Sequence, residues 1–394
     1  MKLRVALCFF VPLFGCATLP QSKISPNDLV LGQVAPVATA KLTRRDIIAD
    51  LQLLKYALEN AYAGADNLPK ESFAVLLTDM DALAEKDLGP SEFCQAIDEA
   101  LLKVPDNHLS ARLDGQLCSP GRKAIFEEKS NVGRNHSSRS DRPWDISFKK
   151  SKRGRVPVLS ILALWDSEHP AWSGFLDETK KALAKAPALI VDLRGNGGGD
   201  DTRAMQLAKL LYGQEFMHPR SIRQLQSPEA RAVRLNSILL QMERARLNGK
   251  PEEPYLREEA ARRRADLEES IKGNQERYKL YQKEEGPPFD PKKGFAKPIM
   301  VLIDRECGSS CESLLEALEN HPFVKTVGAN TGGFVHFGET GKLRLPHLGV
   351  LIQMGTKFFS YPDGRFVEKT GYSPKVRVAD GKNALDEALA LIDE

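Results

Sequence analysis

Apolar residues recur along this chain at two spacings. From Thr43 onward they fall at Ile47, Leu51, Leu54 and Leu58. That period near 3.6 predicts an amphipathic helix, with Thr43-x-x-Asp46 as its N-terminal cap. Helices are predicted again over 71–84 and 91–103, so 41–113 reads as a small helical cap. Residues 114–155 turn polar, with Gly, Ser, Arg and Lys dominating 133–152, and predict a poorly packed linker. Apolar runs follow at 156–164 and 188–194, with a helical segment near 172–186 between them. These runs read as strands.

The pattern changes again over 214–295. Ser227-Pro228-Glu229 sets cap, proline and acid in order, as at a helix start. Acids then alternate with bases from Arg257 to Glu285. This predicts a solvated helical hairpin inserted between strands, suited to protein contacts or self-association rather than to nucleic acid. The run from Pro298 to Asp304 resumes the apolar core, which occupies 156–213 and 296–394.

Composition narrows the function. The chain has 394 residues, with 56 Lys+Arg against 53 Asp+Glu, a balance unlike that of a dedicated nucleic-acid binder. Lys2 and Arg4 precede an apolar stretch, 5–13, too short to span a bilayer. The sequence Leu13-Phe14-Gly15-Cys16 resembles the lipobox of bacterial lipoproteins. That resemblance implies a signal peptide over 1–15, lipid on Cys16, a tether over 16–40 and anchorage in a cell envelope. Ala17 after the cysteine favours the outer membrane, facing the periplasm. Four cysteines remain for an oxidising compartment. Of three possible pairings, the simplest is Cys94–Cys118 with Cys307–Cys311. Zinc binding by the four fits less well, since no pair has the two-residue spacing of common zinc sites. No other motif suggests a metal or cofactor.

Two motifs carry chemistry. In LIVDLRGNGGGD an apolar strand ends at Asp192-Leu193-Arg194, followed by Gly195-Asn196-Gly197-Gly198-Gly199. Consecutive glycines let backbone N–H groups approach an anion. In RECGSSCESLLEAL, Ser309-x-x-Glu312 follows a strand and reads alone as a capping box. Together the motifs resemble the serine peptidase family of C-terminal processing (tail-specific) proteases, the tricorn protease core and the interphotoreceptor retinoid-binding protein modules. Val327-Gly328 and Thr331 extend the likeness.

The resemblance implies an α/β fold with a crotonase-like ββα-superhelix peptidase core, an N-terminal helical cap and a helical insertion. It implies Ser309 as nucleophile, with Ser310 the runner-up, and an oxyanion hole from the Ser310 N–H and that of Gly198 or Gly199. The tail-specific branch would carry a lysine at 334; this chain has Phe334. The tricorn-like branch takes a histidine from the cap, matched by His108 in Pro105-Asp106-Asn107-His108, and a late glutamate, matched by Glu368 before Gly371 and Pro374. Asn107 stands where that branch often has serine. His336 is the rival base. The forty residues between cap and core leave no room for a PDZ domain. The expected function is an exported, lipid-anchored serine endopeptidase acting on envelope proteins or peptides. The alternatives are a catalytically silent ligand- or peptide-binding module on the same scaffold, and a structural protein using its helical arm.

Overall fold

Alternate residues of the central strands belong to two different cores. Leu159 and Ile161, Leu189 and Val191, and Ile299, Val301 and Ile303 join one apolar cluster, whereas Val156 and Val158, Ala188 and Ile190, and Met300 and Leu302 join another. A two-residue period with both faces apolar requires cover on both sides. The computed structural model describes residues 24–32, 42–122, 142–164, 171–215, 219–251, 253–273, 275–284 and 286–394. The expected signal peptide, Cys16 and most of the tether lie outside them.

The central strands are β4 (Gly154–Ile161), β5 (Leu189–Asp192), β8 (Ile299–Ile303) and β9 (Val324–Gly328), mutually parallel. With β3 (Trp144–Ser151) and β12 (Val376–Arg377) they form a six-stranded sheet ordered β12-β9-β8-β5-β4-β3. Helices α5 (Ala171–Leu183), α6 (Asp201–Tyr212) and α9 (Ser310–Leu318) contribute to the first cluster, and α10 (Ala384–Asp393) contributes to the second.

A second, antiparallel sheet holds β1 (Ser110–Leu113), β2 (Gln116–Leu117), β6 (Arg220–Leu225), β7 (Tyr278–Lys283), β10 (Phe337–Arg344) and β11 (Leu351–Ser360). Cap helices α1 (Arg44–Asn60), α3 (Lys70–Leu83) and α4 (Pro90–Leu102), with the short α2 (Gly64–Asn67) beside them, form one core with this sheet. Helix α1 is capped as expected, with the Asp46 N–H donating to Thr43.

Two expectations need correction. The polar linker contains β3, which pairs antiparallel with β4 along its full length. As an edge strand it buries Trp144 and Ser151 and leaves Phe148–Lys150 to solvent, so its sequence reads polar. The insertion is not a solvated arm. Helix α7 (Pro228–Leu247) buries Ala230, Val233, Leu235 and Ile238 in the cap core. Helix α8 (Pro254–Lys272) stops at Gly273, and the charged stretch continues as β7, paired with β6. Among the described residues, no helix is long and apolar enough to cross a membrane.

Candidate active site

The two motifs meet because β5 and β8 are neighbours in register, with Asp192 opposite Leu302. Each motif leaves the carboxyl end of its strand, where ligands bind in open parallel sheets. Arg194 folds back on Asp192 through two charge-assisted bonds of 2.8 and 2.7 Å, fixing the strand exit. Asn196 is fully buried and ties the turn together. Its side chain donates to the Ile161 carbonyl and accepts the Gly198 N–H, and its own carbonyl accepts the Gly308 N–H. Asp304 accepts the Gly195 N–H at 3.0 Å.

Ser309 sits at the N-terminus of α9 with φ 56° and ψ −123°, a backbone region unusual for a residue with a Cβ. Its N–H donates to Glu312 at 3.1 Å, while its hydroxyl makes no cap hydrogen bond. The capping reading is thus half met, and the hydroxyl is left for other work. Ser310 is different: its Oγ donates to the Gly199 carbonyl at 3.0 Å, and the residue is buried. A Cβ built on Gly198 would lie 2.9 Å from the Ser309 Cβ and 2.8 Å from the Ser310 nitrogen, so only glycine fits there. The Gly198 N–H is taken up by Asn196, which leaves those of Gly199 and Ser310 as the candidate oxyanion donors. They lie at the positive end of α9, where negative charge is favoured.

Glu312 anchors this corner to the loop after β9. It accepts from the Thr331 hydroxyl and from the Gly333, Phe334 and Ser309 N–H groups. Burial pushes its pKa up to about 7 against the pull of these donors. Cys307 and Cys311 are joined in a disulfide that brackets Ser309, with Cα atoms 5.5 Å apart. Cys94 and Cys118 form the other pair, so all four sulfurs are used and none is free for zinc.

His108 arrives from the loop between α4 and β1. Arg122, fully buried, pairs with Asp98 at 2.8 Å and donates to the Leu109 carbonyl, while the Cys94–Cys118 bridge closes the same segment. His108 and Ser309 line one cleft of about 490 Å³. No hydrogen bond joins them among the described residues. Catalytic contacts often tighten only around substrate. Phe334 stands where the tail-specific branch has lysine. Its ring packs edge-on to His108 at 5.2 Å and covers Gly308.

Glu368 lies close to His108. Asp106, His108 and Glu368 bring one ligand-type atom each within 4.8 Å of one another, the one such trio among the described residues. Yet Glu368 accepts from the Asn107, Val335 and His336 N–H groups, and the buried His108 Nδ1 has no hydrogen-bond partner. The three side chains are grouped, but among the described residues no hydrogen bond joins the His108 ring to either carboxylate. Burial, first, and repulsion from Asp106 push Glu368 well above the usual carboxylate range, and burial raises Asp106 to about 6. Burial lowers the His108 pKa to about 4, so the imidazole is neutral at pH 7.

His336 has both ring nitrogens engaged: its Nδ1 donates to the Phe359 carbonyl at 2.9 Å and its Nε2 accepts the Val367 N–H at 3.0 Å. Sequence reasoning missed the Arg122–Asp98 clamp and the role of Asp106 as a third buried carboxylate. The signal for the latter was its place two residues before His108 in Pro105-Asp106-Asn107-His108.

Comparison with known proteins agrees with this fold. No curated protein matches the chain in sequence. Among solved structures, a candidate peptidase from Parabacteroides merdae aligns with TM-score 0.56 at 12% identity, covering 89% of this chain and 97% of its own. Mature CPAF aligns with TM-score 0.55 at 13% identity, covering 89% and 97%. At such identities the likeness speaks for the fold alone. The model of peptidase family S41 matches residues 156–378, more than half of the chain and both motif-bearing strands. The chain therefore belongs to peptidase family S41 and is a serine-type peptidase whose substrates are peptides or proteins.

Proposed function

We propose that this protein is an exported, lipid-anchored endopeptidase with Ser309 as nucleophile, His108 as general base and Glu368 as the carboxylate that organises the base. One observation carries the reading. A serine held at φ 56° on a helix N-terminus, its hydroxyl free of the cap, opens into the same cleft as a buried neutral histidine. In the reaction the Ser309 Oγ attacks the scissile carbonyl carbon as His108 takes its proton. The Gly199 and Ser310 N–H groups receive the oxyanion. His108 then returns the proton to the leaving amine, and water attacks the acyl-enzyme by the same route.

Export is supported by the basic and apolar leader before Cys16, and by two disulfides, which persist in oxidising compartments. A second reading, a catalytically silent binding module, is favoured by the unclosed relay at Asn107 and Glu368. Labelling with a serine-directed fluorophosphonate separates the two. Wild type should label and Ser309→Ala should not; an unlabelled wild type removes the peptidase mechanism. Cys16→Ser should release the protein from membranes, and a variant that still sediments with them removes the anchor.

A further inference from the structure

Ser309 also borders a second cleft, of about 390 Å³, which leads from Gly199 and Phe334 to Arg263. Arg263 and Glu339 line both this cleft and a third cavity of about 360 Å³. Shared lining residues thus link the His108 cleft, the space beside the nucleophile and the cavity at the inserted helices.

The far cavity carries five cations, Arg231, Arg234, Arg262, Arg263 and Lys279, against two acids, Asp266 and Glu339. The acids are already engaged. Glu339 pairs with Lys357 at 2.6 Å and lies 3.9 Å from Arg234, and Asp266 pairs with Arg262. Glu259 serves both Arg262 and Arg263. These pairs are what a solvated helix surface would show. Arg231 and Lys279 are not of that kind. The Arg231 guanidinium donates only to amide oxygens of Gln226 and Gln275, and the Lys279 ammonium lies over the Tyr281 ring at 5.0 Å. Among the described residues neither has a carboxylate within ion-pair distance, and they approach the cavity from α7 and β7. Burial, with Arg231 and Arg263 adding repulsion, pulls the pKa of nearby Arg234 down to about 10. Cations that repel one another in a polar cavity are stabilised by an anion, and guanidinium groups suit carboxylates.

We propose that this cavity is a substrate subsite for a carboxylate, carried by an Asp or Glu side chain or by the peptide's own C-terminus, while the scissile bond lies over Ser309. The inference rests on the peptidase reading of that serine. It gives the inserted segment a role in choosing substrates, on a chain whose cap-to-core interval has no room for a peptide-binding domain.

The test uses quenched-fluorescence decapeptides in which Glu, Gln or Lys is walked through every position, each made as C-terminal acid and amide. Wild type should favour Glu over Gln at one position, or acid over amide, by roughly tenfold or more in kcat/KM, as expected for a hydrogen-bonded charge. The preference should sit in KM and shrink as salt rises. In Arg231→Gln/Lys279→Gln it should fall toward parity, with Gln peptides cleaved as before and Ser309 still labelled by fluorophosphonate. A position-specific Glu effect identifies a side chain; an acid-over-amide effect identifies a C-terminus. Wild type that labels at Ser309 but cleaves Glu, Gln and Lys peptides alike, acid or amide, overturns the subsite and leaves the mechanism standing. So does a preference that survives the double substitution. Failure to label Ser309 removes the mechanism and the subsite with it.

Discussion

Removing the two disulfides one at a time should separate what holds the fold from what holds the nucleophile. Cys94–Cys118 spans 24 residues and Cys307–Cys311 spans 4. In the chain-entropy treatment, cross-linking removes 2.1 + 1.5R ln n cal/mol/K from the unfolded ensemble. At 25 °C this gives about 3.5 kcal/mol for the first bridge and about 1.9 kcal/mol for the second. Activity should rank the other way. The short bridge brackets Ser309 and the Ser310 N–H, and a nucleophile displaced by an ångström costs on the order of 10²-fold. The long bridge acts on His108 only through a segment also held by Arg122–Asp98 and by the Asn107 bonds to the Gly332 and Gly333 carbonyls. Paired Cys→Ala variants should be compared by urea unfolding and by the rate of fluorophosphonate acylation. Cys94→Ala/Cys118→Ala should lose more stability and less acylation than Cys307→Ala/Cys311→Ala. Unchanged acylation in the short-bridge variant would show that its two cysteines merely pack. A larger stability loss there would refute the loop-length argument.

His108→Ala should slow acylation by about 10²–10⁴-fold, the usual worth of a general base, and His336→Ala should leave it near wild type; the reverse ranking refutes the assignment. The base must be neutral to accept a proton, so activity is lost as pH falls through the His108 pKa. Since burial sets that pKa near 4, acylation should hold to about pH 5 and then decline; a limb near 6.5 would mean an imidazole more solvated than the structure has it. Gly198→Ala should abolish acylation, because the new Cβ would lie 2.6 Å from the Gly308 carbonyl oxygen at φ 92°; near-normal labelling would show that the glycine turn does not abut the nucleophile.

Much of this was legible in the sequence because it depends on short range. The 3.6 spacing of Ile47, Leu51, Leu54 and Leu58 gives α1, which buries all four except for 6% of Ile47 and 3% of Leu51. The apolar runs marked strands of the central sheet, and the glycine turn together with the distant Ser309-x-x-Glu312 marked the chemistry. Strand β3 was hidden because an edge strand exposes most of its side chains and so loses the apolar signal. Strand β7 was hidden because its partner β6 lies more than fifty residues away, beyond any local pattern.

What only the tertiary structure decided is how distant groups share space. The register of β5 on β8 sets the glycine turn against Ser309. The pairing of β1 with β11, with Gln353 donating to the His108 carbonyl at 3.0 Å, carries His108 into the cleft. For His336, the rival base, it is Phe359 and Val367 that claim both ring nitrogens. A residue's type is written in the chain, but the field and partners that set its pKa, its hydrogen bonds and its freedom to react come from segments brought together only by folding.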